Sequence, residues 1–409
     1  MAASDLPGER FWQLQGQIRE TFKKQDYRAA LDQLKGSDAL VPNRPSAILR
    51  AARAYAYLNE NAAAMAQLTR LLEMQTYFDL ATEPAFEKLR GTPEFQSVVK
   101  SMEKLNREKK INSTVAFKIP DTAFFPEGIA YDPKSGDVFV ASIRKRKIVR
   151  VTPTGDISEF ITPHQDGIWG VGGIDLDPTR RILWACSTAY EVDEEYTPAD
   201  HDVAVFAFDL DTGKLKARYP LQPVEEKHFC DGVLVAPDGT VFVADSQGLA
   251  VSRLSPGAKE LEAILPRSGG ISPQGMALSA DGKILFFSDY MSGLYALNLE
   301  SKDVSRVHSK AKASLAGIDG LVSYGNDLIA IQNGILPNRV VRLKLGPGQK
   351  EISEVEVLEM NHPLFGEPTL GVIKGHALLF VANNPISKFL DDHELTGLPT
   401  PVILQRDLH

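Results

Sequence analysis

One motif recurs six times in the second part of the chain, and no other feature limits the fold as strongly. FPEGIAYDPKSGDVFVAS, starting at Phe125, is followed by GVGGIDLDPTRRILWACS, FCDGVLVAPDGTVFVADS, SPQGMALSADGKILFFSD, GIDGLVSYGNDLIAIQN and a divergent GEPTLGVIKGHALLFVAN. Each copy holds an apolar strand, a turn of Gly, Asp, Asn or Pro in most copies, and a second apolar strand. The anchor glycines Gly128, Gly173, Gly232, Gly275 and Gly320, with Thr369 in the sixth copy, are 45, 59, 43, 45 and 49 residues apart. That pitch suits the four-stranded blade of a β-propeller, whose repeats run about 40–50 residues. Six copies predict six blades. The sixth copy is followed by a single further strand, within LPTPVILQRDL. STVAFKI (Ser113 to Ile119) is therefore expected to supply the missing outer strand and close the ring, because an open propeller exposes strand edges.

The first 110 residues follow another rule. ERFWQLQGQIRETFKKQDYRAALDQLKG and SAILRAARAYAYLNENAAAMAQLTRLLEM carry apolar residues at three- and four-residue spacings among good helix formers. Breaks at 24–26 and 59–61 split each into a helix pair, and PAFEKLR with TPEFQSVVKSMEKL predicts a shorter closing pair. DYRAALDQL resembles the second helix of a tetratricopeptide repeat. The expected architecture is mainly β: an α-helical tetratricopeptide-like domain over 1–110, then a six-bladed propeller over 111–409. A bundle packed on its neighbour and a repeat array that binds a protein partner both remain open for the helices.

A net charge of -8 argues against a nucleic-acid backbone as partner. No apolar run approaches the roughly 18 residues that span a bilayer. MAASDLPGER lacks the basic and apolar regions of a secretory leader. A cytoplasmic start and a periplasmic or secreted chain with its leader removed both stay open. Two cysteines cannot staple a chain this long. Cys186 and Cys230 fall in adjacent blades, where a disulfide is conceivable, but two buried free thiols are the expectation.

In a propeller the innermost strand of each blade starts at one end of the central channel. The residue before each anchor glycine then points into the channel mouth: Glu127, Gly172, Asp231, Gln274, Asp319 and Pro368 or Thr369. The second strands finish at the same end with Ser142, Ser187, Asp245, Asp289, Gln332 and Asn383, and of these Ser142, Ser187, Asp245, Asp289 and Asn383 are expected to contact a substrate. Two carboxylates about 6 Å apart repel by roughly 3 kcal/mol at an effective dielectric of about 20. Three such pairs cost roughly 9 kcal/mol, comparable to the whole stability of a domain. Protons or a cation must compensate, unless the acids are simply solvated turn residues, since Asp before Gly is common in turns. The inner positions offer oxygen donors only, a set suited to a hard cation, Ca²⁺ before Mg²⁺.

The PEG of the first blade and the later xDG motifs resemble the senescence-marker-protein/gluconolactonase-like propellers, relatives of paraoxonase and strictosidine synthase. The resemblance spans about 115–409. In that family a first-blade glutamate, asparagines of the third and fourth blades and a fifth-blade aspartate hold one divalent cation. By this resemblance Glu127 and Asp319 match the two acids, while Asp231 and Gln274 stand at the asparagine positions. Asp231 adds a charge and Gln274 a methylene. The activity implied is hydrolysis of a small lactone or ester, with Asp319 as acid and base. His228, three residues before Asp231, is an alternative proton carrier. The long second interval comes from AYEVDEEYTPADHD, a candidate lid after the second strand of its blade. RKRK (Arg144 to Lys147) could attract an anionic substrate or be a solvated turn.

Overall fold

The computed structural model describes residues 6–408 apart from 198, 201, 224–226, 266–268, 270 and 311. Six sheets stand in a ring, each containing one copy of the motif, antiparallel except for a short parallel strand, His308–Ser309, added to the fifth. The inner strands are β2 (Pro126–Tyr131), β6 (Gly170–Asp177), β10 (Cys230–Val235), β14 (Pro273–Leu278), β19 (Ile318–Tyr324) and β23 (Gly371–Lys374). The chain then meanders outward within each sheet. The sixth sheet takes its outermost strand from β1 (Thr114–Lys118), which pairs antiparallel with the C-terminal β25 (Val402–Asp407). The first strand of the propeller thus latches onto the last and closes the ring.

Alternation along the strands explains how the ring holds. In the second strand of blade two, Leu183 and Ala185 pack toward blade one, while Trp184 and Cys186 pack toward blade three. Every seam between neighbouring blades carries its own apolar cluster built this way. The seam between blades two and three also holds a Cys186–Cys230 disulfide, with the two Cα atoms 5.2 Å apart. The expected pair of free thiols is therefore corrected. Cys186 lies on the face of its strand turned toward blade three, where the inner strand of that blade begins with Cys230. The bond closes a loop with a sequence separation of 44, and constraining that loop when unfolded is worth about 4 kcal/mol in the chain-entropy description. Cys186→Ala/Cys230→Ala is expected to unfold at distinctly lower denaturant than the oxidised wild type. Equal midpoints would show that the bond contributes nothing.

The anchor glycines are required by crowding at the ring centre. A Cβ on Gly128 would lie 2.4 Å from the carbonyl oxygen of Gly172, and one on Gly275 2.4 Å from that of Asp319. Each glycine thus makes room for the residue that precedes the next blade's anchor. In the sixth blade Thr369 reaches the equivalent carbonyl differently, its hydroxyl donating to Glu127 O at 3.2 Å. Gly275→Ala should cost about 3 kcal/mol or more, the upper end for overpacking, because the obstacle is backbone. Chemical denaturation of the variant measures this.

The helical part forms α1 (Gly8–Lys23), α2 (Tyr27–Leu40), α3 (Pro45–Tyr57), α4 (Asn61–Glu73) and α5 (Pro93–Arg107). Asp26 caps α2 by accepting from Ala29 N, and Thr92 caps α5 by accepting from Phe95 N. The expected closing pair is corrected: PAFEKLR makes only a single tight turn at Pro84–Phe86. The helices are tied to blade five. Tyr77 N donates to Leu336 O at 2.7 Å, Arg339 Nη1 to Gln75 O at 3.2 Å, and Asn361 Nδ2 to Asn106 O at 2.8 Å. Among the described residues no helix is long and apolar enough to cross a membrane.

Candidate functional site

The inner strands reach the channel mouth with a defect. Pairing of the first and second strands slips at Pro126/Ile129, Val171/Ile174, Cys230/Gly232, Pro273/Met276 and Ile318/Gly320. Each slip contains the residue before an anchor glycine. A bulge at the start of these five inner strands re-aims the residue there toward the channel instead of across the sheet. Glu127, Asp231, Gln274 and Asp319 consequently line one cavity of about 200 Å³ at the mouth, with Gly172 and Thr369 completing the circle. Below them lies a smaller chamber of about 120 Å³, walled by Ile129, Val233, Met276 and Leu321. The acids form the floor of the upper cavity and keep part of their surface open to it.

Confinement of like charges governs their protonation. Glu127 is pushed well above the usual carboxylate range, first by burial and then by the charges of Asp319, Glu367 and Asp231. Asp231 rises strongly for the same first reason, partly offset by hydrogen bonding from Ser246. Asp319 is lifted to about 7 by burial; the hydrogen bond from Asn333 works against this and the charge of Glu367 with it. Asn384 Nδ2 donates to Glu127 Oε2, and Asn333 Nδ2 donates to Asp319 Oδ2 at 2.6 Å. Asp231 Oδ2 is buried and accepts no hydrogen bond.

The residues expected to contact a substrate lie elsewhere. Ser142 donates to Phe124 O and accepts from Lys145 N; Ser187 accepts from Trp169 N at 2.9 Å. Asp245 accepts from Phe229 N and Gly248 N, and Asp289 from Ser272 N, Met291 N and Ser292 N. Asn383 exchanges hydrogen bonds with Thr400 O and Val402 N. All five are buried. They fasten nearby backbone, chiefly the loop entering their own blade, and none lines the cavity. The cavity is lined instead by the next residue in four blades: Ile143, Tyr290, Asn333 and Asn384. Side chains alternate along an extended chain, so an offset of one residue exchanges wall for staple.

His228 is also placed outside the cavity. Its Nδ1 is hydrogen-bonded to Asp245 and its Nε2 lies 2.8 Å from Pro223 O. Sequence reasoning missed Glu367, Tyr190, Phe229 and Ile386, which also line the cavity. Glu367 stands one residue before the divergent Pro368-Thr369 and could have been found by allowing that copy to slip. The acidic excursion of blade two is a wall in its first half. Val192 is buried against Phe125, Ile143 and Phe389, and Asp193 accepts from Gly170 N and Tyr190 N. Two positions of its second half, 198 and 201, lie outside the described residues. RKRK is used up structurally: Arg144 lies over Phe389, Arg146 over Trp169, and Lys145 pairs with Glu194 at 2.6 Å.

No family model matches the chain, and no curated protein does. Solved structures match it in fold. A gluconolactonase from Xanthomonas campestris is 13% identical with a TM-score of 0.50, covering 73% of this chain and 95% of that one. A calcium-binding protein, regucalcin, from Agrobacterium tumefaciens is 16% identical with a TM-score of 0.52, covering 72% and 94%. A luciferin-regenerating enzyme is 11% identical with a TM-score of 0.50, covering 73% and 95%. At these identities the likeness shows a shared six-bladed architecture.

Proposed function

We propose that this protein is a divalent-cation-dependent hydrolase of lactones or related esters, working at the channel mouth. The observation that carries the reading is the convergence of Glu127, Asp231, Asp319 and Glu367 on one cavity. Four acids beside the amide of Gln274 offer only oxygen donors and fit a hard cation, Ca²⁺ or a similar ion. The unpartnered Asp231 Oδ2 supports the fit. Among the described residues no three His, Cys, Asp or Glu side chains yet stand close enough together to hold an ion. Gln274 adds an amide oxygen to the donor set, while Asn333 and Asn384 hold Asp319 and Glu127 in place through their amide N–H groups. Glu127, Asp231, Gln274 and Asp319 would hold the ion, which would polarise a carbonyl oxygen and steady the charge that develops there.

The chain's own groups supply the rest. Asn333 fixes Asp319 through Oδ2 and is itself fixed by Pro368 O at 2.9 Å. Asp319 takes a proton from the attacking water and returns it to the leaving alkoxide. A carboxylate touching a cation loses basicity, and the burial that lifts Asp319 offsets part of that loss. Tyr190 and Phe229, packed edge to face at 5.0 Å, shield one side from bulk water. The test is hydrolysis of a lactone and aryl-ester panel by the full chain, with Ca²⁺ and with chelator. Turnover that stops with chelator and returns with the ion is expected. Absence of turnover on every substrate leaves a ligand- or protein-binding scaffold in place of an enzyme.

A further inference from the structure

We propose that the cleft between the helices and the propeller is a subsite for an apolar arm of the substrate. The protein would then take lactones or esters that carry an alkyl or aryl substituent, in preference to bare sugar lactones. The substrate's reaction rests on the hydrolase reading; the binding of the arm does not.

The cleft holds about 510 Å³, within the ~300–1,000 Å³ of small-molecule sites. Its helical wall includes Phe78, in the loop that follows α4. Its propeller wall is Met291, Ile335 and Leu336, from the turns of blades four and five at the mouth end. Leu336 is 48% exposed, unusual for a leucine set in a concavity. The loop is held to this wall by the Tyr77 N–Leu336 O hydrogen bond and by the Arg339 side chain, which donates to Gln75 O.

What joins the cleft to the acids is a shared partition. Tyr290 and Asn333 line both spaces. The Tyr290 hydroxyl donates to Asn333 Oδ1 at 2.8 Å, and Asn333 in turn donates to Asp319. A carbonyl placed over the acids therefore has a polar sill behind it and an apolar room beyond the sill. The acid cavity alone offers an arm little apolar surface, whereas the cleft is apolar along most of its lining. The helical segment thereby acquires a role as one wall of a binding site.

The experiment pairs a reactive and an unreactive ligand series on the full-length protein. γ-Lactones with side chains from methyl to decyl report kcat/KM. The matching 2-alkylcyclopentanones, which have a ring carbonyl and no ester bond, report Kd by calorimetry. Affinity should rise about fourfold per methylene until the cleft is full, the fold-change equivalent to ~0.8 kcal/mol per buried CH₂. Leu336→Asp, which keeps the backbone bond to Tyr77, should flatten that dependence, and Ser46→Trp, which fills the cleft from the start of α3, should shorten the preferred chain. Ketone affinity that ignores chain length overturns the subsite whether or not lactones are hydrolysed. Chain-length dependence that survives both variants unchanged overturns it too. Length-dependent ketone binding without any lactone turnover upholds the subsite and removes the hydrolase reading.

Discussion

Asp319→Asn is expected to lower kcat/KM for the best lactone by about 10²–10⁴-fold, the range for loss of a positioned acid–base group. The substitution keeps size and leaves an oxygen to accept from Asn333, so a fall in rate without a fall in melting temperature isolates the proton transfer. Glu127→Gln should lose activity through weaker cation binding, and raised Ca²⁺ should recover part of it. Asn333→Ala acts through Asp319 and should displace the pH–rate profile as well as reduce the rate. His228→Ala makes the contrast. Its ring is tied to Asp245, which in turn fastens the loop into blade three, so melting should suffer and the pH profile should not move. Asp319→Asn as active as wild type would remove the carboxylate from the chemistry.

The fold was legible because the propeller repeats its grammar. Gly275 and its counterparts mark the places where one blade's backbone meets the next, and no side chain fits there, so the same residue recurs at the same pitch. The acids were legible for a related reason, since they sit immediately before those glycines. The walls were not. Ser142, Asp289 and Asn383 recur just as regularly, and recurrence alone does not say whether a polar residue faces the ligand or braces its own blade. That choice depends on the pleat at the end of the second strand, where one residue decides the face. Tyr290, Asn333 and Asn384 were hidden by that single step. Cys186 and Cys230 could not be paired from the sequence because the distance between their strands is set by the ring. The cleft under Leu336 was beyond reading, because it exists only where two segments remote in sequence meet.

Without added cation, the protein should become less stable as pH rises from about 4 to about 8, against the usual direction for buried acids held by cations or hydrogen bonds. The sign follows from the raised acids. Glu127, Asp231 and Asp319 bind protons more tightly folded than unfolded. Between the ordinary carboxylate value and the raised one the native state holds the extra protons. Stability from these groups is therefore fully present below the unfolded value and is lost as pH rises through the folded one, about 7 for Asp319. A divalent cation reverses the trend, because it binds the ionised ring and must displace protons to do so. At a hundredfold excess over Kd it adds about 2.7 kcal/mol where the acids are already ionised. The Ca²⁺-induced rise in melting temperature should accordingly be large near pH 8 and small near pH 5. Metal-free Glu127→Gln should melt above metal-free wild type near pH 8, since it removes one of the repelling charges. A Ca²⁺ effect of equal size at both pH values would mean that the ion binds away from the ring, and no effect at either would mean that Glu127, Asp231 and Asp319 are compensated by protons alone.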